Sequence, residues 1–143
     1  MLIADFRHHI QTSYVIPHEF VALCAGNMQA YNLLGYLFWW TDWVETHEPH
    51  RHGWTYQTAE NLLAGLQLTR RGYQKAREAL LELGVLQYRR SGVFGRMHWK
   101  LNKEKLLEMV YQVRGQEPPE WTTKYQHDSD NFRLPKWVPL DLW

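Results

Sequence analysis

At 143 residues, 45% hydrophobic and 22% charged, the chain is sized for one globular domain with an arm or tail, and its composition excludes a disordered or fibrous protein. The formal net charge of +1 hides a segregation: the span 69–100 holds eight basic residues against Glu78 and Glu82, a balance of +6, and the remainder stands at −5. The basic residues are Arg70, Arg71, Lys75, Arg77, Arg89, Arg90, Arg96 and Lys100, and a basic face on a near-neutral protein points to a polyanionic partner.

The single Cys24 excludes an intrachain disulfide and fits a reducing compartment. No basic region followed by a long apolar run opens the chain. The most apolar run, 33–40, is far shorter than the ~20 residues of a membrane span. A soluble cytoplasmic protein with no membrane partner is expected. Eight Trp and eight Tyr are many for a core of this size, so aromatic surface is expected outside it or at an interface.

In chain order, residues 1–25 read as an N-terminal arm, polar around His8 and His9, with Pro17 favouring extended backbone at Ile16. A long helix is predicted from Asn27 or Met28 to Glu45, with Asn27 as its N-cap. Tyr31, Leu34, Leu37, Phe38 and Val44 share one face, while Leu33, Trp39, Trp40 and Trp43 leave little polar face. Such a helix is expected to be buried nearly all round, by the tail or by a second subunit.

A His-rich loop spans 46–52, and Trp54-Thr55-Tyr56 alternates as a short strand. Thr58 caps a short helix with Leu62, Leu63 and Leu66 on its apolar side; 65–68 is the turn, and Thr69 caps a helix from Arg70 to Leu83. In that helix Tyr73, Ala76, Leu80 and Leu83 form one stripe, and Gly84 is the left-handed stop. Strands are predicted at 85–90 and 96–101 around a glycine-containing wing at 91–95. Asn102 caps a last helix to about Arg114, anchored by Leu106, Leu107 and Val110. From Gly115 on, four prolines forbid a long helix, yet Trp121, Tyr125, Phe132, Trp137 and Trp143 are too apolar for a solvated tail.

Several short motifs go together here: Phe38-Trp39-Trp40, Gly53-Trp54, the Thr58 cap, Leu68-Thr69-Arg70-Arg71, Leu83-Gly84-Val85-Leu86, Arg89-Arg90, and Gly95-Arg96 through Trp99 to Leu101-Asn102. With these motifs the chain resembles, over about residues 17–110, the winged helix-turn-helix domains of bacteriophage and plasmid replication-initiation proteins and related phage helix-turn-helix proteins. The resemblance implies a mainly α fold with a small β-ribbon. The domain would span 26–114, between the arm 1–25 and an extended, aromatic and Pro-rich tail 115–143. The His-rich loop and the Trp-rich tail depart from the family pattern.

In such a fold the second helix enters the major groove of double-stranded DNA. Opposite its apolar stripe the helix presents Arg71, Gln74, Lys75 and Glu78, with Arg70 on the flank. Arg70 or Arg71 suits guanine, Gln74 adenine, Lys75 phosphate, and Glu78 cytosine N4. Thr58 and Thr69 stand at helix N-termini, where hydroxyls and amides suit phosphate. Arg89, Arg90 and Arg96 flank the wing, within reach of the minor groove or backbone.

The competing reading is a protein-interaction module, an assembly subunit or a phage-borne inhibitor. Its contacts would be Trp39, Trp40, Trp43, Trp121, Trp137 and Trp143, with the basic face docking on an acidic protein or a nucleoprotein; the plainest alternative leaves those charges as a solvated face that touches nothing. A homodimer or a larger nucleoprotein assembly is compatible with both readings. His47, His50, His52 and Glu48 fit no standard zinc spacing, so no metal is expected. Cys24 reads as a small core residue. With no phosphate-binding glycine loop and no suggestive carboxylate pair, neither a cofactor nor catalysis is expected.

Overall fold

The computed structural model describes residues 1–10, 16–91 and 96–118. The described chain is mainly helical. Helices α1 (Ile3–Ile10), α2 (Glu19–Leu23) and α3 (Met28–His47) come first. A 3-10 turn at Pro49–Arg51 leads to β1 (Thr55–Gln57), α4 (Ala59–Leu66), α5 (Arg70–Leu83), β2 (Leu86–Ser91), β3 (Arg96–Leu101) and α6 (Lys103–Val113). The three strands form one antiparallel sheet in the order β1-β3-β2.

Local chemistry sets most of these boundaries. Asn27 accepts a hydrogen bond from Ala30 N at 3.1 Å and starts α3; Asn102 does the same for Lys105 N and starts α6. Ala30, Leu33, Leu34, Leu37, Phe38 and Val44 of α3 are buried and form the spine of the core. Leu106, Leu107 and Val110 of α6 and Trp99 and Leu101 of β3 join it.

Residues 1–10 and 16–25 differ from the expected arm. Ile3, Phe6 and Ile10, spaced along one helical face, are fully buried. Phe6 meets Phe20 and Phe38 edge to face, with centroids 6.3 and 5.4 Å apart, so α1, α2 and α3 converge on three aromatic rings. The ends of α1 are held by distant residues: Glu45 accepts from Ile3 N at 2.7 Å, and Arg114 donates to Ile10 O at 2.8 Å.

Arg114 also donates to Glu19 at 2.9 Å. Burial of Glu19 opposes its ionisation, but a backbone N–H and the Arg114 guanidinium outweigh it and hold the carboxyl below its ordinary value. At the other end of α6, Lys103 pairs with Glu45. Helix α6 thus ties α1, α2 and α3 together.

Among the described residues, helix α3 is not covered all round; the tail expected to cover it, beyond residue 118, lies outside them. Trp39 and Trp43 are 45% and 37% exposed, and Trp40 and Tyr31 are half-buried. Among the described residues no helix is long and apolar enough to cross a membrane.

Candidate nucleic-acid interface

Helices α4 and α5 are joined by residues 67–69, with Gln67 in the left-handed conformation at φ 55°. The Thr58 hydroxyl accepts from Asn61 N at 3.2 Å, and the Thr69 hydroxyl accepts from Gly72 N at 3.0 Å. Each threonine therefore shapes its helix start by accepting through its hydroxyl oxygen. The first turn of α5 is seated on the start of α3: a Cβ on Gly72 would stand 2.9 Å from the Gln29 amide nitrogen, so the two helices meet where Gly72 has no side chain.

Gly72, Tyr73, Ala76 and Leu80 turn inward. Arg70, Arg71, Gln74, Lys75 and Glu78 are all exposed, as their helical spacing predicts. Among the described residues, no carboxylate pairs with Arg70, Arg71 or Lys75. The start of α5 therefore carries a compact set of solvated cations beside free helical N–H groups.

Helix α5 ends at Gly84, φ 79°, whose N–H donates to Leu81 O while Val85 N reaches back to Leu80 O. The chain then reverses into the hairpin. Its register pairs Tyr88 with Trp99, Arg89 with His98, Arg90 with Met97 and Ser91 with Arg96. Because strand side chains alternate, Leu86, Tyr88 and Arg90 share the face packed on the core, and Arg89 lies on the other face. Both arginines are exposed, but the hairpin separates them. The wing tip, 92–95, lies outside the described residues.

Lys100 and Arg77 do not belong to this solvated set. Lys100 lies beside Lys103 and Glu45 around Gly53. Burial lowers its ammonium pKa first, and the neighbouring Lys103 lowers it further. Arg77 is half-buried, its guanidinium carbon 4.2 Å above the Tyr88 ring and 5.3 Å from that of Tyr73. Its position four residues after Tyr73 on a helix was a signal for this stacking.

Behind α5, Trp99 Nε1 donates to the Tyr73 hydroxyl at 3.1 Å, and that hydroxyl lies 3.8 Å from Met97 Sδ as a donor. Burial raises the Tyr73 phenol above its ordinary pKa, so it keeps the proton it donates.

On α3, Trp39 meets Trp40 and Trp40 meets Trp43 edge to face, at 5.0 and 5.6 Å, and Trp43 stacks on His47 at 4.6 Å. Beside this ladder, an open groove of about 450 Å³ runs between α3 and α4, lined by Ile16, Tyr31, Tyr36, Trp39, Gly65 and Leu66. None of Arg70, Arg71, Gln74 and Lys75 lines this groove. Trp121, Trp137 and Trp143 lie outside the described residues. Among the described residues, no three His, Cys, Asp or Glu side chains are grouped to hold a metal ion.

No protein-family model matches the chain, and neither a curated protein nor a solved structure does.

Proposed function

We propose that this chain is a double-stranded DNA-binding protein built as a winged helix-turn-helix, of phage- or plasmid-like type, acting in replication initiation or its regulation. The element order α3-β1-α4-α5-β2-β3 and the strand order β1-β3-β2 support the winged reading. The observation that carries DNA binding is the exposed set Arg70, Arg71, Gln74 and Lys75 at the start of α5, where the fold would enter the major groove. The replication role rests on the sequence resemblance.

The test is a salt series of duplex-binding titrations with the wild-type chain and an Arg71→Ala, Lys75→Ala double variant. Each lost phosphate contact lowers the slope of log K against log salt by about 0.9. The variant is expected to bind more weakly with a shallower slope. A wild-type chain with no salt-dependent binding to any duplex at low ionic strength would sink the proposal.

A second reading, an interaction module, is favoured by the exposure of Trp39 and Trp43. Under it, replacing both by alanine removes self-association or partner capture and leaves DNA binding intact. Unchanged association on sedimentation counts against it.

A further inference from the structure

Arg77, one of the basic residues outside the solvated set, has a geometry of its own. Arg77 lies on α5 and Tyr88 on β2, and the only chain between these elements is Gly84-Val85. Val85 N reaches back to Leu80 O and Val85 O accepts from Asn102 N at 2.8 Å, so backbone bonds pin the hinge itself, and beyond it β2 meets α5 through side chains. The guanidinium above Tyr88 spans from α5 to β2, at 4.2 Å.

Four side chains close a circuit around the hinge. Arg77 packs on Tyr88 and Tyr73, Tyr88 tilts against Trp99 at 6.0 Å, and Trp99 donates back to Tyr73 at 3.1 Å. Two of these residues are on α5 and one is on each strand of the hairpin. Arg71 and Lys75 stand on the first element and Arg90 on the second.

Resting on the DNA-binding reading above, we infer that Arg77 is a positioning residue for the basic face: it holds β2 against α5, sets where Arg90 stands relative to Arg71 and Lys75, and is not itself a phosphate contact. A planar guanidinium stacks on aromatic rings, and a compact, strongly hydrated ammonium is a poor substitute.

The experiment titrates a fluorescein-labelled mixed-sequence duplex with the full chain, by anisotropy, across a salt series. Arg77→Ala and Tyr88→Leu are each expected to weaken binding about fivefold at every salt concentration, the loss of one such contact. The salt slope stays at the wild-type value. The double variant is no weaker than either single one, Tyr88→Phe binds like wild type, and Arg77→Lys behaves like Arg77→Ala. Lys75→Ala, the comparator, lowers the slope by about 0.9.

An Arg77→Ala variant that loses as much slope as Lys75→Ala, or that binds like wild type, overturns the inference. A wild-type chain without salt-dependent binding fails the DNA reading alone. The role of Arg77 is then decided by amide hydrogen exchange. Faster exchange at 86–90 in Arg77→Ala and Tyr88→Leu, with α3 unchanged, supports the strut, and unchanged exchange in β2 overturns it.

Discussion

Trp99 and Tyr73 join the central strand to the second helix of the pair through one buried hydrogen bond of 3.1 Å, from the indole N–H to the phenol oxygen. Trp99 is 1% exposed, so no water replaces that acceptor. Tyr73→Phe removes the acceptor and keeps the ring. We expect it to destabilise the fold by about 1–3 kcal/mol, the cost of a buried donor left unsatisfied. Urea unfolding reads this as a lower midpoint at an unchanged m-value. An unchanged midpoint would mean that the indole finds another acceptor.

Gly84 tests the hinge from the backbone side. A Cβ there meets nothing within 4 Å, so the cost of a side chain is conformational, set by φ 79°. Gly84→Ala is expected to cost about 1 kcal/mol and Gly84→Asn less, because asparagine tolerates the left-handed region. Equal melting temperatures for wild type and Gly84→Ala would show that the hinge relaxes out of that conformation.

The hairpin register separates two adjacent arginines, and DNA binding should separate them too. Arg90 lies on the face shared with Tyr88, toward α5, and Arg89 lies on the opposite face. Arg90→Ala is expected to weaken duplex binding and lower the salt slope by about 0.9, with Arg89→Ala close to wild type. The reverse ranking would place the DNA on the far side of the sheet.

Cys24 gives a pH prediction. Burial pushes its thiol from 9.0 up to about 11. A folded-state pKa above the unfolded value means that this group's stabilising contribution is complete below pH 9 and is lost as pH rises through about 11. Comparing wild type with Cys24→Ala by urea unfolding across that window isolates the thiol: the stability difference between the two should shift against wild type as pH rises. A pH-independent difference would refute it. At pH 8 the thiol should react with a disulfide reagent only as the chain unfolds.

The legible parts of the fold were those specified by neighbouring residues. Asn27, Thr58, Thr69 and Asn102 each cap a helix three residues ahead, and Gly84 ends one, so local chemistry located both ends of α5. Helix α1 escaped for a physical reason. Glu45, 42 residues away, binds the N–H of Ile3, and Arg114 binds the carbonyl of Ile10 from 104 residues away. A helix of eight residues held by such partners has no complete local signature.

The candidate site was legible on α5, where helical spacing put Arg71, Gln74 and Lys75 outside. Counting charge did not distinguish solvated cations from those the fold occupies. Arg77 and Lys100 carry the same formal charge as Arg71, but one is packed on two rings and the other sits in a polar cluster with Lys103 and Glu45. Only tertiary contacts make that distinction.

The strand order also bears on how the molecule is made. The central strand, β3, is the last to be synthesised, and Thr55 donates its hydroxyl to Trp99 O across 44 positions. During translation, β1 and β2 emerge as two edges without a middle. They cannot form this sheet until Leu101 has cleared the ribosome. Nascent chains arrested before that point should therefore lack the folded hairpin, so Arg90 takes its place beside α5 only after β3 has been made.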